Sequence, residues 1–348
     1  MKETNAVILA GGKGTRLRPL TVYAPKPIVP LVNRPFLLYQ LELLARSGTQ
    51  NVVLSLSYQP NKIEDALASY DADGIDLKFT TEPNPLGTAG AFRFAADEAA
   101  ETFIVFNGDI LTDVDISKIL NRHRDAKADA TIVLARVEDP SRYGLVETDD
   151  EGRVLRFREK PTPEELAKLD INTINAGIYI LDRKVLERIP KNENSSFEYN
   201  VFPGLLEDKL NFYSYILDGE YWRDIGTPTS YLDGHMDFLA GKIKGFTIGG
   251  AATEVATAAD ICSNSVLGEG CIVKPNAHII NSVLGPGVRV EEKAVIENSV
   301  IWAHTRVSTL AEIRGAIISR SCHIGRNVIV NPGAVLGDKA SLSDYSVV

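Results

Sequence analysis

The sequence predicts an α/β domain with a mostly parallel sheet, followed by a parallel β-helix. Two patterns predict these folds. In the first two-thirds of the 348-residue chain, short apolar runs alternate with helical stretches, which is typical of βαβ units and of a parallel sheet covered by helices on both faces. In the last part, apolar residues recur every six positions. This is the step of a β-helix, in which each short strand sends one residue inward.

The elements of the first part follow in chain order. Strands are expected over 6–10, 52–56, 77–80 and 102–106, and helices over 36–47, 62–70 and 89–100. The first helix carries Leu37, Leu41 and Leu44 at helical spacing, and Gly48 is placed to end it. Because ligands of such sheets bind at the carboxyl ends of the strands, functional residues are expected directly after these runs.

The six-residue period of the last part is carried by ten apolar residues. They are Val266, Ile272, Leu284, Val290, Ile296, Ile318, Ile324, Val330, Leu336 and Leu342. The period breaks at His278 and again over 302–314, where loops or bulges are expected. The domains are therefore predicted at 1–235 and 261–348, with a linker at 236–260.

Composition restricts the class of function. The net charge of −9 argues against a sequence-independent nucleic-acid binder, which needs a basic face. No apolar run approaches the ~20 residues of a membrane span, and no signal peptide is visible. The three cysteines, Cys262, Cys271 and Cys322, have no paired spacing. A reducing, cytoplasmic location is therefore expected.

A glycine-rich loop directly after the first strand is the strongest local feature. It reads Leu9-Ala10-Gly11-Gly12-Lys13-Gly14-Thr15-Arg16. Its glycines let backbone amides approach anionic oxygens, and its basic side chains add positive charge. A Walker-type loop needs Ser or Thr where Gly14 follows Lys13, and a dinucleotide loop needs a small residue where Leu17 stands. The loop therefore predicts a phosphate site of another kind.

The loop resembles the N-terminal motif of sugar-1-phosphate nucleotidyltransferases, the nucleotide-sugar pyrophosphorylases. Further motifs match in the family's order: Pro25-Lys26-Pro27, Glu82-Pro83-Asn84-Pro85-Leu86-Gly87-Thr88-Ala89-Gly90, Asn107-Gly108-Asp109, Tyr143-Gly144, Glu159-Lys160-Pro161, Asn175-Ala176-Gly177 and Trp222-Arg223-Asp224-Ile225-Gly226-Thr227-Pro228. The C-terminal repeats resemble the left-handed β-helix of hexapeptide-repeat proteins. These resemblances imply a Rossmann-like nucleotidyltransferase domain followed by a left-handed β-helix. They also imply transfer of a nucleotidyl group from a nucleoside triphosphate to a sugar-1-phosphate.

Arg16, Lys26 and Asp109 are the expected catalytic residues. The rigid fork of Arg16 fits phosphate oxygens, and Lys26, held between two prolines, is expected to reach the sugar phosphate or the α-phosphate. Asp109 follows a buried strand, where aspartate is otherwise unfavourable. The resemblance makes Asp224 a second metal ligand. Two carboxylates with phosphate oxygens and water suit Mg²⁺, the expected cofactor.

The resemblance also implies two sets of binding residues. The nucleotide is expected to bind Leu9, Ala10, Gly11, Gly12, Gly14, Thr15, Arg16, Glu82, Gly87 and Thr88. The sugar phosphate is expected to bind Gly144 through its backbone amide, Glu159 and Asn175 through sugar hydroxyls, and Lys160 through the phosphate.

Glu82 bears on the choice of nucleobase. Thymidylyl and uridylyl members of the family commonly carry Gln at this position, and Gln can both donate and accept. A carboxylate only accepts, which suits the adjacent N1–H and N2–H₂ donors of guanine. The 85–90 run and the C-terminal repeats also look most like mannose-1-phosphate guanylyltransferases. GTP and mannose-1-phosphate are therefore favoured, with a glucose-1-phosphate thymidylyl- or uridylyltransferase as the alternative.

Two further functions remain open. Hexapeptide β-helices often carry acyltransferase sites, and His278, His304 and His323 are available, although no acetyl-donor loop is apparent. A non-catalytic nucleotide-sugar sensor is the other, but regulatory relatives have disturbed phosphate loops and this loop is intact. The β-helix itself is expected to assemble a homo-oligomer rather than to carry chemistry.

Overall fold

The computed structural model describes residues 4–68, 74–159, 162, 164, 171–246, 254–256 and 258–348. The chain forms two compact units. Unit 1 comprises Met1–Gly12 and Gln40–Trp222, and unit 2 comprises Lys13–Tyr39 and Arg223–Val348. The first boundary therefore falls inside the glycine-rich loop, and the segment 13–39 belongs to the same unit as the C-terminal residues.

The elements of residues 4–239 confirm the predicted alternation. The strands are β1 (Thr4–Leu9), β2 (Pro30–Leu31), β3 (Arg34–Pro35), β4 (Asn51–Leu56), β5 (Asp76–Thr81), β6 (Thr102–Asn107), β7 (Ile110–Thr112), β8 (Ala130–Arg136), β9 (Leu145–Thr148), β10 (Val154–Arg158), β11 (Thr173–Asp182), β12 (Phe212–Ile216) and β13 (Trp222–Asp224). The helices are α1 (Leu37–Arg46), α2 (Pro60–Leu67), α3 (Gly87–Ala95), α4 (Ile116–Asp125), α5 (Arg183–Leu186), α6 (Phe202–Glu207) and α7 (Pro228–Leu239).

One predicted helix is displaced. The helix expected over 89–100 is α3, which starts at Gly87 and ends at Ala95. It ends there because Ala96 is extended, with φ −71° and ψ 134°. The Asp97 side chain then accepts from the Ala99 amide at 2.9 Å and forms a turn that competes with the helix. Of the predicted helix 62–70, residues 69 and 70 lie outside the described residues.

Unit 1 is built on a mixed sheet with the order β10-β9-β11-β6-β1-β4-β5. In addition, β8 pairs with β11, and β12 pairs with β8. Strand β1 is parallel to β4 and β6, and β4 is parallel to β5. Strand β11 is antiparallel to β6. The buried residues of β1 and β6 are apolar except for Asn5 and Thr102 near the strand starts, as expected for strands covered on both faces. The carboxyl ends of β1, β4, β5 and β6 consequently meet at one edge of the sheet.

Unit 2 contains the predicted β-helix. Its strands are β14 (Glu254–Val255), β15 (Asp260–Ile261), β16 (Val266–Leu267), β17 (Ile272–Val273), β18 (His278–Ile280), β19 (Val283–Leu284), β20 (Arg289–Val290), β21 (Val295–Glu297), β22 (Val300–Ile301), β23 (Arg306–Val307), β24 (Glu312–Arg314), β25 (Ile317–Ile318), β26 (His323–Ile324), β27 (Ile329–Val330), β28 (Val335–Leu336) and β29 (Ser341–Leu342). They stack into three parallel sheets, which start at β14, β15 and β16.

The prediction of loops or bulges at His278 and over 302–314 is wrong. His278 is the first residue of β18, and its neighbour Ile279 is fully buried and points inward. The 302–314 stretch contains β23 and β24, whose Val307 and Ile313 are also fully buried. Both stretches are therefore regular parts of the solenoid.

The length of one turn explains the apparent break. Ile272 pairs with Arg289, and Arg289 pairs with Arg306, so these turns take 17 residues each. A turn of 17 residues falls one short of three six-residue steps, so the phase of the apolar pattern shifts once in every such turn. For the same reason Val273, which is 1% exposed, points inward in place of the predicted Ile272.

Two general features bear on location. All three cysteines are free, with Cys271 and Cys322 buried in the β-helix and Cys262 half-buried. Within the described ranges, no helix combines the length and the apolar character that crossing a membrane requires.

Candidate active site

The carboxyl edge of the unit 1 sheet holds the start of the glycine-rich loop. The Ala10 amide donates to the Ser55 carbonyl at 2.9 Å, and the Gly108 amide donates to the Leu9 carbonyl at 2.9 Å. These bonds extend the β1 pairing to β4 and β6 beyond the strand itself. Leu9 and Ala10 thus fix the point at which Gly11 leaves the sheet.

Glu82 lies just after β5, beside the same loop. Its Oε2 accepts from the Leu86 amide at 3.0 Å, and its Oε1 accepts from Ser55 Oγ at 3.4 Å. A Cβ added to Gly11 would lie 3.3 Å from Glu82 Oε1 and 2.7 Å from Ser57 Oγ. Only glycine therefore lets the loop pass so close to the carboxylate. Because each carboxylate oxygen has a second lone pair, Glu82 can accept further hydrogen bonds.

Gly87 and Thr88 open α3 against the segment 195–198. The Thr88 hydroxyl accepts from the Phe197 amide at 2.9 Å and donates to Glu198 Oε2 at 3.0 Å. A Cβ added to Gly87, whose φ is +72°, would lie 2.5 Å from the Ser195 carbonyl oxygen. The Thr88 hydroxyl is thus engaged within unit 1 itself.

Asp109 lies in the turn between β6 and β7 and is half-buried. The main chain on both sides of it is held by Gln40, whose Nε2 donates to the Asn107 carbonyl at 3.0 Å and to the Ile110 carbonyl at 2.8 Å. Gln40 is only 1% exposed. A buried amide that spans the turn in this way keeps the Asp109 carboxylate at a fixed position relative to the sheet edge.

Gly144, Glu159 and Asn175 form a second group in unit 1. The Asn175 amide donates to the Gly144 carbonyl at 2.9 Å. A Cβ added to Gly144 would lie 2.7 Å from Glu159 Oε2 and 2.8 Å from the Phe157 ring. The three predicted sugar residues that the structure describes are therefore neighbours. The fourth, Lys160, lies outside the described residues.

The Asn175 side chain is oriented by its own strand. Its Oδ1 accepts from the Gly177 amide at 2.9 Å, and its Nδ2 donates to the Tyr179 hydroxyl at 2.9 Å. Burial raises the pKa of Tyr179 well above its usual value, and the charge of Glu198 adds to the effect. The phenol consequently stays protonated. One Nδ2 hydrogen of Asn175 remains for another acceptor.

In unit 2, the structure brings Arg16, Lys26 and Asp224 together. Lys26 Nζ lies 3.9 Å from Asp224 Oδ1. A Cβ added to Gly226 would lie 2.8 Å from Asp224 Oδ2 and 3.2 Å from Arg16 Nη2. Gly226 therefore leaves the space in which a guanidinium and a carboxylate approach each other. We call Arg16, Lys26, Asp224 and Gly226 the charged cluster.

Lys26 is the most buried of the three charged residues in the charged cluster. It begins the short 3₁₀ turn Lys26–Ile28 and is 8% exposed. A buried ammonium is costly unless an anion compensates it, and Asp224 supplies one. The turn at 224–230 is held by Thr227, which caps α7 by accepting from the Ser230 amide at 3.2 Å, and by the Ser230 hydroxyl, which donates to the Asp224 carbonyl.

Gly14, Thr15 and Arg16 follow the boundary between the units. The Gly14 carbonyl accepts from Thr21 Oγ1 at 2.7 Å and from the Leu17 amide at 3.0 Å. Thr15 and Arg16 then form a single exposed 3₁₀ turn, Thr15–Leu17. The backbone is thus fixed on either side of Arg16, while its side chain stays accessible to a ligand.

Sequence reasoning missed several residues that position this site. Thr21, Gly226 and Tyr179 stand inside or beside the matching motifs. Each of them contacts a predicted site residue: Gly14, Asp224 and Asn175, respectively. Gln40 carries a different signal, since it is a polar residue within the Leu37–Leu41 part of α1, whose other residues are apolar or aromatic. Such a residue is expected to have a buried hydrogen-bond partner.

Whether the site residues suit a divalent metal ion depends on the donor atoms of their carboxylates. Across the described part of the chain, no three or more His, Cys, Asp and Glu side chains cluster in a way that could hold a metal ion. A site built from protein ligands alone is therefore not indicated there. One or two carboxylates completed by substrate phosphates and water are typical of Mg²⁺ sites in phosphoryl-transfer enzymes. Asp109 and Asp224 have the right donor atoms for such a site.

Comparison with known proteins covers both parts of the chain. Residues 5–241 match the family model described as nucleotidyl transferase, and residues 249–348 match the EIF2B subunit epsilon LbH domain. The second match assigns the solenoid to the left-handed type.

The named relatives are mannose-1-phosphate guanylyltransferases. The one from Mycobacterium tuberculosis is 38% identical over 291 residues, which cover 80% of this chain and 78% of that protein. The one from Schizosaccharomyces pombe is 37% identical and covers 76% of this chain and 73% of that protein.

A solved structure is also similar to this chain. HddC from Yersinia pseudotuberculosis is 34% identical, with a TM-score of 0.56, and covers 68% of this chain and 100% of its own. HddC has also been solved in complex with GMP-PN. Together with the intact glycine-rich loop and the charged cluster, these matches show that the chain belongs to the nucleotidyl transferase family.

Proposed function

We propose that this nucleotidyltransferase joins GTP and mannose-1-phosphate to give GDP-mannose and pyrophosphate. The observation that carries the proposal is the convergence of Arg16, Lys26 and Asp224 next to the glycine-rich loop. The guanylyltransferase names of the relatives and the GMP-PN complex of HddC support the choice of nucleotide. The same names support mannose-1-phosphate as the acceptor.

The reaction asks for charge stabilisation rather than for a protein nucleophile. A phosphate oxygen of the sugar-1-phosphate attacks the α-phosphorus in line, and a new P–O bond forms as the bond to pyrophosphate breaks. The attacking oxygen is already anionic, so no side chain needs to take a proton. What the protein must do is hold two polyanions together and stabilise the negative charge that spreads over the transition state.

Arg16 and Lys26 meet this need in different ways. The exposed guanidinium of Arg16 can bind two phosphate oxygens at once as charge develops on them. The buried ammonium of Lys26 is held in place by its 3₁₀ turn and by Asp224. We therefore assign Arg16 to the α-phosphate and Lys26 to the α-phosphate or the sugar phosphate. The amides of Gly11, Gly12, Gly14 and Thr15 are assigned to the nucleotide.

Asp109 and Asp224 are the residues that we propose as ligands of Mg²⁺. When bound, the ion neutralises phosphate charge and polarises the α-phosphate. The protein's part is to hold the two carboxylates. Gln40 does so for the Asp109 turn, and Ser230 and Thr227 do so for the Asp224 turn.

Glu82 is the residue that we propose for base selection. Its carboxylate is held by Leu86 and Ser55 while retaining acceptor capacity. Guanine offers two adjacent donors to such a group, whereas uracil and thymine oppose it with a carbonyl. On the sugar side, the neighbouring residues Gly144, Glu159 and Asn175 are assigned to the sugar, and Lys160 is assigned to the sugar phosphate.

The proposal is tested by pyrophosphate release from the purified protein with Mg²⁺. GTP, ATP, UTP, dTTP and CTP are each combined with mannose-1-phosphate and with glucose-1-phosphate. GTP with mannose-1-phosphate should give the highest kcat/KM. A higher value with UTP or dTTP would refute the assignment of Glu82 to guanine, and a folded sample without any turnover would refute the enzyme assignment.

We further propose that the chain assembles into a homo-oligomer through its β-helix. The last coil exposes Tyr345 and Val347, which are 71% and 65% accessible. Apolar residues and open strand edges at the end of a solenoid favour association. Light scattering after gel filtration tests the proposal, since a monomer at working concentration would contradict it. A cytoplasmic location stays a prediction from the three free cysteines.

A further inference from the structure

One row of corner residues in the β-helix contains an exception. The inward residues Leu267, Leu284, Ile301, Ile318 and Leu336 stack in one sheet, and the residues that follow them are Gly268, Gly285, Trp302, Ser319 and Gly337. We call these five the corner row. A Cβ on Gly285 would lie 2.5 Å from the Ala303 amide nitrogen, which explains why small residues prevail there. The packing of the solenoid repeat itself does not explain a tryptophan in this row.

The reason lies outside the solenoid but inside unit 2. Trp302 is 2% exposed, and its Nε1 donates to the hydroxyl of Tyr231 on α7 at 3.0 Å. The fully buried Tyr231 hydroxyl in turn donates to the carbonyl of Pro30. The guanidinium of Arg320, on the next coil of the solenoid, lies 5.4 Å from the centre of the Trp302 ring and packs against the indole. A hydrogen-bonded relay thus runs from the corner row through α7 to the segment 13–39.

Two further contacts join this segment to the corner of the solenoid. Asn33 Nδ2 donates to the Leu284 carbonyl at 2.8 Å. A Cβ added to Gly337 would lie 3.3 Å from Pro19 Cβ, so the small corner residue lets Pro19 pack closely. Pro19 follows Arg16 by three residues, and Pro30 follows Lys26 by four. The solenoid therefore holds the chain next to both cations of the charged cluster.

A second α7 residue supports the same stretch of backbone. His235 Nδ1 accepts from the Val32 amide at 3.3 Å, and burial lowers the pKa of His235 to about 3, so that it stays neutral and able to accept. The Tyr39 hydroxyl donates to the Leu31 carbonyl at 2.8 Å. The main chain of 30–32 is thus bonded at three successive residues by side chains.

We propose that Trp302 is a positioning residue for nucleotidyl transfer: through Tyr231 it fixes the backbone at Pro30 and with it the Lys26 turn. This inference rests on the proposed function, and it gives the β-helix a part in the reaction of the same subunit. Trp302 touches no substrate. Its effect is expected on the placement of Lys26, and displacements near 1 Å in such sites cost about 10²-fold in rate.

The test uses the full-length chain with Trp302→Phe, Tyr231→Phe and the double variant. Phenylalanine keeps an aromatic ring at each position. Tyr231→Phe removes only the hydroxyl, whereas Trp302→Phe removes the indole N–H together with part of the buried ring. The matched control is Ser299→Ala, which lies outside the relay. It removes the bond from Ser299 Oγ to the Glu297 carbonyl at 2.7 Å and the bond that Ser299 Oγ accepts from the Ala316 amide at 3.1 Å. Steady-state rates are measured with GTP and mannose-1-phosphate, together with Tm and hydrogen exchange of peptides that cover 24–36.

Trp302→Phe should lower kcat by about 10-fold or more, with both KM values within about twofold. Tyr231→Phe should do at least as much, and the double variant should be no worse than Tyr231→Phe, because one break already interrupts the relay. Amides of 28–36 should exchange faster in both variants. Ser299→Ala should lower Tm without changing kcat or this exchange.

Unchanged kcat and exchange in Trp302→Phe and Tyr231→Phe would overturn the inference, and so would losses that multiply in the double variant. A loss of kcat in Ser299→Ala as large as in the two relay variants would also overturn it, because kcat would then simply follow the fall in Tm. If the wild-type protein releases no pyrophosphate, the proposed function fails. The exchange data then still decide whether Trp302 positions the segment.

Discussion

The two units support their candidate site residues in opposite ways. In unit 1, Glu82, Asp109 and Asn175 follow or lie within strands of one sheet. The partners of Glu82 and Asn175 lie on that sheet, and Gln40 of α1 holds the turn at Asp109. In unit 2, Arg16 and Lys26 lie on a segment that, before α1 begins at Leu37, contains only two 3₁₀ turns and a two-residue strand pair. Side chains of α7 and the β-helix corner hold that segment.

This difference indicates a division of labour. Groups that recognise a base or a sugar need a fixed pattern of donors and acceptors, and a sheet edge provides it. Groups that stabilise transferring phosphates must already be in place as charge develops, and a segment with little regular structure needs supports from elsewhere in its unit to hold them there. The division predicts that substitutions in unit 1 change substrate preference and KM, whereas substitutions in the charged cluster change kcat.

Arg16→Ala should have the largest effect. Removing one preorganised donor from a developing phosphate charge costs about 10²- to 10³-fold in kcat, with smaller changes in KM. Arg16→Lys should recover only part of the loss, because an ammonium cannot bind two oxygens in one plane. Steady-state kinetics with GTP and mannose-1-phosphate measure both. A kcat within about tenfold of wild type for Arg16→Ala would contradict the role of the charged cluster.

Gly226→Ala should come next. The added Cβ would lie 2.8 Å from Asp224 Oδ2 and 3.2 Å from Arg16 Nη2, so these groups must move apart. We expect kcat to fall by about 10- to 100-fold. Gly204→Ala is the matched control, because a Cβ there meets nothing within 4 Å. Equal rates for the two variants would show that the approach of Arg16 and Asp224 is unimportant.

Gly144→Ala applies the same change to unit 1. Its Cβ would lie 2.7 Å from Glu159 Oε2, and the carboxylate that we assign to the sugar must move. The KM for mannose-1-phosphate should rise by about 10-fold, the cost of roughly one hydrogen bond, while the KM for GTP should not change. A change in kcat with an unchanged sugar-phosphate KM would reverse the division of labour.

How much of this could be predicted from the sequence depended on how local each feature is. Arg16, Lys26 and Asp109 stand in short motifs whose chemistry shows in the residues themselves. A six-residue pattern does not reveal a turn of 17 residues, and the phase shift that this turn causes resembles the effect of a loop. Trp302 stood in the stretch that looked irregular, but its partner Tyr231 is 71 residues away, and only the fold brings the two together.

The smallest effect concerns pH and the support of the segment 13–39. The pKa of His235 is lowered to about 3 by burial, against 6.5 for an unburied histidine. The contribution of the neutral His235 to the free energy of unfolding is therefore complete above pH 6.5 and is lost as the pH falls from 6.5 towards 3. Between pH 7 and pH 5 the free energy of unfolding should decrease by about 2 kcal/mol more in the wild type than in His235→Asn. Urea unfolding at the two pH values measures this, and equal decreases would contradict a buried neutral imidazole.

The separation of recognition from charge stabilisation is tested most directly by the ratio of kcat/KM for GTP to that for UTP, with mannose-1-phosphate as acceptor. It is measured in the wild type, Glu82→Gln and Arg16→Ala. Glu82→Gln should lower the ratio by about 10- to 100-fold, since Gln can pair with uracil and loses one acceptor for guanine. Arg16→Ala should leave the ratio within about twofold while both rates collapse. A ratio that changes as much in Arg16→Ala as in Glu82→Gln would contradict the account.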